Sequence, residues 1–248
     1  MHRSRRETSE HESWESEVSS GFAIAGFLAL VFVAVTLLAI GPMAKLDAYF
    51  NLAPPPRGWL PALYALDRIG QRAVCLPILA VATFVVCRKH RTLRPAVVAV
   101  LSVFCLNLLV LLLKLGLGRG DPDDADPSFF AAGMAYPSGH SANIVLVYGL
   151  LGYLLLTYGD PGRVARILLW SIVPFLSILM VVTSLTLNWH WLTDLVSGLL
   201  VGGVVLQLTT ALDRGVSATG FTPRWRKGVQ DVRRRAGIDK SHGREDSV

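Results

Sequence analysis

The chain has 248 residues, of which 52% are hydrophobic and only 17% charged, with a formal net charge of +6 and a mean hydropathy of +0.47. Soluble domains carry about 25% charge, so a water-soluble globular domain is excluded. The basic balance does not indicate a nucleic-acid partner either, because the positive charges flank apolar stretches instead of forming one binding face.

In chain order, residues 1–20 are polar, with Arg3, Arg5 and Arg6 followed by five Glu, and read as a disordered tail. No charged residue interrupts the next stretch, Val18 to Ala44. That run exceeds the ~7–15 apolar residues of a signal peptide, and Pro42-Met43-Ala44-Lys45 is a poor cleavage site, so it is taken as a retained span. Pro54-Pro55-Pro56 breaks the following loop, where Trp59 and Tyr64 suit a lipid–water boundary. Five more charge-free stretches follow: Ala73–Cys87, Pro95–Leu113, Ser141–Gly159, Ile167–Trp189 and Leu195–Leu212. A helix needs ~20 mostly apolar residues to cross ~30 Å of hydrocarbon. The second stretch is short, but it extends back through Ile69, and Arg72 and Arg88 at its ends can reach the interface. Cys75, Cys87 and Cys105 fall in or beside these runs and have the spacing of neither a disulfide framework nor a zinc site.

The expectation is an all-α bundle of six transmembrane helices within residues 21–212, followed by a basic tail at 213–248. Six spans put both termini on one side of the membrane. Eighteen of the 24 Lys and Arg then share that side, which the positive-inside rule assigns to the cytoplasm.

Ionisable groups at membrane depth are costly and usually functional. Here they gather at the outer ends of spans three to six: Lys114 and Arg119, then Pro137-Ser138-Gly139-His140, then His190 and Asp194. His190 and Asp194 are four residues apart and share a helix face. A carboxylate accepting from one imidazole nitrogen fixes the tautomer and leaves the other nitrogen free as a nucleophile. His140 follows a Pro-Ser-Gly helix start, where free N–H groups and the positive dipole end make a phosphate cradle, with Ser138 as N-cap or further donor and Gly139 beside it. Lys114 and Arg119 add positive charge for phosphate oxygens, and the second histidine can protonate a leaving alkoxide. The acidic run Asp121, Asp123, Asp124 and Asp126 has the spacing of no recognised calcium loop and reads as solvated, so no metal is expected.

From Lys114 to Asp194 the sequence resembles the type 2 phosphatidic acid phosphatases, relatives of the vanadium haloperoxidases, whose motifs are K-x6-R-P, P-S-G-H and S-R-x5-H-x3-D. The second motif is intact at 137–140, and the third keeps His190 and Asp194 in register ahead of a helix carrying Gly198, Gly202 and Gly203. The resemblance implies hydrolysis of a membrane lipid phosphomonoester or pyrophosphate at the outer face, without a cofactor. His190 would become phosphohistidine, Asp194 would orient it, and His140 would be the general acid. Two departures stand out. Asp121 occupies the first motif's arginine position, and Thr183-Ser184 replaces Ser-Arg in the third. Arg119 is expected to substitute for one lost arginine and Ser184 to donate a hydrogen bond only. The departures leave open a lipid head-group transferase with the same histidine chemistry, or a non-catalytic lipid-binding relative. The expected partners are the bilayer and a lipid phosphate, with no nucleic acid.

Overall fold

Charge-free runs of Leu, Val and Ala leave a chain in hydrocarbon only one local solution, a helix that satisfies its own backbone. A computed structural model describes residues 2–51, 53–124 and 127–218, and it shows this outcome, with no strand among the described residues. The α-helices are α1 (His2–Ile40), α2 (Ala44–Tyr49), α3 (Leu60–Asp67), α4 (Arg72–His90), α5 (Arg94–Leu117), α6 (Gly139–Asn143), α7 (Gly149–Tyr158), α8 (Arg163–Thr186) and α9 (Leu192–Ala218). A π-helical turn, Ile144–Tyr148, joins α6 to α7 into one continuous span. Six helical segments are long and apolar enough to cross a membrane: Ser16–Ile40, Arg72–His90, Arg94–Leu117, Gly139–Tyr158, Arg163–Thr186 and Leu192–Val216.

The fourth span is the centre of the bundle, 67% buried against 11–22% for the first, second, third and fifth, and α9 at 44% lies beside it. Ile144, Leu146, Leu150 and Leu154 carry the fourth span's core face and meet Leu106 and Cys75 from its neighbours. The outer helices turn Phe27, Leu30, Phe84, Phe104 and Ile178 outward, as a bilayer-facing surface requires.

Two glycines set the spacing between α6 and α9. A Cβ at Gly198 would lie 2.3 Å from the Ser138 carbonyl oxygen, and one at Gly202 would lie 2.6 Å from that of Ala142. Small residues permit such backbone contact between membrane helices. At the far end of the bundle, Arg94 pairs with Asp213 at 2.7 Å, Tyr153 donates to Asp213 at 2.6 Å, and Arg214 meets Glu17 at 3.3 Å. The start of the first span and the end of the last therefore share one end.

The polar N-terminal segment departs from expectation. Residues 2–20 continue the first span as helix and are not an irregular tail. Nucleating a helix is the costly step, and the adjoining span has already met that cost. Of the basic tail expected at 213–248, residues 213–218 complete α9 and residues 219–248 lie outside the described residues.

Candidate active site

At the end opposite the Arg94–Asp213 pair, the chain enters the fourth span through a tight turn. The Tyr136–Pro137 peptide is cis, and Ser138 has extended backbone (φ −67°, ψ 120°) and caps α6, its hydroxyl accepting from Ser141 N at 3.4 Å. Ser138 N donates to the Asp194 carbonyl at 2.9 Å, which fastens this turn to the start of α9. Tyr136 is fully buried and shares its hydroxyl with Thr36 at 2.6 Å and Ser197 at 2.5 Å. Burial pushes that phenol above its ordinary pKa and keeps it neutral.

His190 is placed by the reversal between α8 and α9. Asn188 adopts φ +57°, a left-handed conformation that asparagine tolerates at a helix C-terminus, and Trp189 N reaches back to the Ser184 carbonyl at 3.1 Å. His190 Nδ1 then lies 3.5 Å from Asp194 Oδ2, which also accepts from Trp191 N at 3.0 Å. Asp194 sits in the first turn of α9, where the helix dipole favours a carboxylate.

His140 stands at the same end, because Ser138, two residues before it, is hydrogen-bonded to the Asp194 carbonyl at 2.9 Å. His140 Nε2 is 3.5 Å from Oδ2 of Asp67, the last residue of α3. Asp67 is fully buried, Gln71 Nε2 donates to its Oδ2 at 3.1 Å, and its Oδ1 has no partner. Each imidazole thus faces its own buried carboxylate across the same separation, and His140 Nε2 and His190 Nδ1 are both buried without a formed hydrogen bond.

Lys114 lies at the rim. Its ammonium donates to the carbonyls of Met134 and Ala135, the residues leading into the Pro-Ser-Gly-His turn. It lines a crevice of about 370 Å³ with Arg72, Asn107 and Met134, whose remaining walls are apolar residues of α5.

The arginine assignment needs correction. Arg119 is fully buried behind the histidines, and its guanidinium is already engaged. One terminal nitrogen, Nη1, binds Asp194 Oδ1 at 2.5 Å and Thr193 Oγ1 at 2.7 Å. Nη2 binds Asp47 Oδ2 at 2.6 Å, and Nε binds the Pro127 carbonyl at 3.0 Å. Phe129 and Trp191 stack around it with ring centroids 4.7 and 5.5 Å from its central carbon. A guanidinium so enclosed is not presented to a phosphate. It holds Asp194 instead. Asp47 completes this assembly by accepting from Thr193 N at 3.0 Å and Thr193 Oγ1 at 2.6 Å, which caps α9 from another helix.

Ser184 also turns away from the site. Its buried hydroxyl points to Met180 Sδ at 3.4 Å, and its contribution is the carbonyl that closes the α8 turn. Asp121 is exposed on the loop after Arg119, and its charge acts on Lys114. Among the described residues no three His, Cys, Asp or Glu side chains are grouped to hold a metal; Asp126 lies outside them.

Sequence reasoning passed over Asp47, Asp67 and Arg72. A signal was there for the first two: they are the only acidic residues between Glu17 and Asp121. An isolated carboxylate in so apolar a stretch needs a partner.

Comparison with known proteins agrees with this architecture. The PAP2 superfamily model matches residues 95–216. The chain is 27% identical over 110 residues to phosphatidylglycerophosphatase B of Bacillus subtilis (strain 168), a match covering 44% of this chain and 54% of that protein. The chain thus spans about half the length of that relative. The crystal structure of a transmembrane PAP2-type phosphatidylglycerolphosphate phosphatase from Bacillus subtilis superposes with a TM-score of 0.68 at 20% identity, covering 79% of this chain and 98% of that one. These matches agree with the resemblance read from the motifs: residues 95–216 of this chain, its third to sixth spans, match the PAP2 superfamily model.

Proposed function

We propose that the protein is an integral-membrane phosphatase that hydrolyses the phosphomonoester of a lipid through a phosphohistidine at His190. The observation that carries this reading is the convergence at one end of the bundle of His190, backed by Asp194, with the turn that carries His140 and is hydrogen-bonded to Asp194. Asp194 accepts a hydrogen bond from Nδ1–H, which leaves the Nε2 lone pair of His190 to attack phosphorus. The P–O bond to the lipid breaks with its electron pair on oxygen, and His140 donates the proton that makes it an alcohol. Water then attacks the phosphohistidine and gives a proton to His140. The P–N bond returns its electron pair to Nε2, and inorganic phosphate leaves.

Lys114 and Arg72, with the N–H groups of Gly139 and His140 at the head of the fourth span, supply the positive field for the phosphate oxygens. Arg72, not Arg119, is then the cation that offsets the lost motif arginines. A lipid substrate is favoured by the crevice below Lys114 and Arg72, whose walls include Phe104, Leu108 and Leu111. Both relatives are named as phosphatases of one glycerophospholipid monoester, which favours a monoester over a pyrophosphate. The excess of Lys and Arg in the sequence segments on the side of the termini supports cytoplasmic termini and a site on the extracytoplasmic side.

Purified protein should release inorganic phosphate from a panel of lipid phosphates without an added alcohol, and His190→Ala should lose at least about 10³-fold in rate. Intact cells should also dephosphorylate a membrane-impermeant lipid phosphate supplied outside. Release only with an acceptor alcohol would make the protein a transferase, and activity confined to lysed cells would invert the topology.

A further inference from the structure

Asp67 has no place in the histidine chemistry outlined above, and its environment is unusual. It ends α3, where the helix dipole disfavours a carboxylate, and it is fully buried. A buried carboxylate is stable only when paired or amply hydrogen-bonded. Here its one side-chain donor is the neutral amide of Gln71, at 3.1 Å, and its Oδ1 has none. Within ion-pair reach is His140 Nε2, at 3.5 Å, itself buried without a partner. The atom facing this nitrogen is Oδ2, which already takes the Gln71 amide, and a carboxylate oxygen has lone-pair capacity for a second donor. The gap exceeds a formed N–H···O bond of ~2.9 Å by an amount that a small ring rotation closes.

The arrangement repeats, on the second histidine, the one between His190 and Asp194, with the same 3.5 Å separation. It differs in the nitrogen used. Asp194 faces Nδ1 of His190, whereas Asp67 faces Nε2 of His140, so the nitrogen of His140 left free is Nδ1. Gly70 helps hold the pair together. It lies in the 3₁₀ turn directly after Asp67, and a Cβ there would come within 3.2 Å of both the Cβ and the carbonyl oxygen of His140. Asn143 Nδ2, one helical turn beyond His140, donates to the Gly70 carbonyl at 3.2 Å. The loop between the first two spans is thereby fastened to the helix that carries His140.

We infer that Asp67 is the positioning residue of His140: it accepts a hydrogen bond from Nε2–H, presents Nδ1–H to the leaving-group oxygen, and stabilises the imidazolium form that donates. The inference rests on the proposed histidine mechanism and adds a second carboxylate–imidazole pair to it. In the first step the Nδ1 proton passes to the oxygen that leaves phosphorus, and His140 becomes neutral with Nε2–H still bound by Asp67. In the second, water attacking phosphorus returns a proton to Nδ1.

A role through general acid catalysis has a signature that mere structural support lacks. An alkoxide leaving group needs the proton, whereas a nitrophenolate hardly does. In single-turnover experiments with enzyme in excess, release of the leaving group reports the first step alone. Asp67→Asn, which keeps the volume and removes the charge, should slow release of dioctanoylglycerol from its phosphate by roughly 10–100-fold. It should slow release of nitrophenolate from p-nitrophenyl phosphate by less than about threefold. Asp67→Glu, with the carboxylate retained, should recover part of the loss on the lipid. Equal losses on both substrates, or no loss on either, would overturn the assignment. A parallel His190→Ala variant separates the two levels. If it is inactive on both substrates while Asp67→Asn shows no leaving-group dependence, the histidine mechanism survives and the role of Asp67 falls. If His190→Ala still releases both leaving groups, the mechanism itself falls, and the inference with it.

Discussion

Arg119 shows how one residue's surroundings decide between two roles that its chemistry equally permits. A guanidinium near a phosphate-binding loop is naturally read as a phosphate clamp, since its planar fork matches phosphate oxygens. In the folded chain that fork is spent on Asp194, Thr193, Asp47 and the Pro127 carbonyl inside an aromatic enclosure. Removing one partner from a buried ion pair leaves an uncompensated charge and typically costs about 3–5 kcal/mol. Arg119→Ala strands two carboxylates, so a clear fall in Tm is expected along with lost activity, and Arg119→Lys should restore only part of both because a point charge cannot bridge Asp47 and Asp194 together. Thermal unfolding of the detergent-solubilised variants decides this. A wild-type Tm with an increase in KM alone would return Arg119 to the phosphate. Sequence spacing identified Arg119, His190 and Asp194 as neighbours, but not which of them Arg119 serves. That choice depended on Asp47, 72 residues upstream, whose approach is a tertiary event with no local pattern to announce it.

At the scale of elements, the six spans were legible because hydrocarbon imposes a length and an absence of charge that can be read directly from the chain. The short helices α2 and α3 were not. They hold six and eight residues in a proline-broken loop, too few for a periodic pattern. Yet these two supply Asp47 and Asp67, the carboxylates against Arg119 and His140. The Pro-Ser-Gly-His turn depends on elements in a second way, through its contact with α9. The glycines of that helix were noted in the sequence, but the backbone they face emerges only on packing. Gly198→Ala would drive a methyl group to within 2.3 Å of the Ser138 carbonyl, and no side-chain rotation relieves a clash with backbone. It should destabilise the protein by about 1–3 kcal/mol and, by displacing the turn that carries His140, reduce turnover further than the stability loss explains. Gly215→Ala, where nothing lies within 4 Å, is the control and should behave as wild type. Turnover of Gly198→Ala equal to that of the control would show that this contact does not position the site.

Across the whole molecule, the fourth span forms the buried axis, and the remaining spans surround it with their apolar faces outward. Ionisable groups are confined largely to the two ends. The end holding Glu17, Arg94, Asp213 and Arg214 closes the bundle with ion pairs. The other end gathers two histidines, each facing a buried carboxylate, beneath a rim of Lys114 and Arg72. This asymmetry makes one end a structural clasp and leaves the other, under the proposed function, as the reaction site. The central claim is that phosphate passes through His190, and trapping the intermediate tests it most directly. Purified protein mixed with a lipid carrying radiolabelled phosphate, then quenched within the first turnover under alkaline conditions, should hold acid-labile label on the peptide containing His190. His140→Ala should still acquire label, but more slowly, and His190→Ala should acquire none. Label absent from wild type during active turnover, or present on a residue other than His190, would contradict the account.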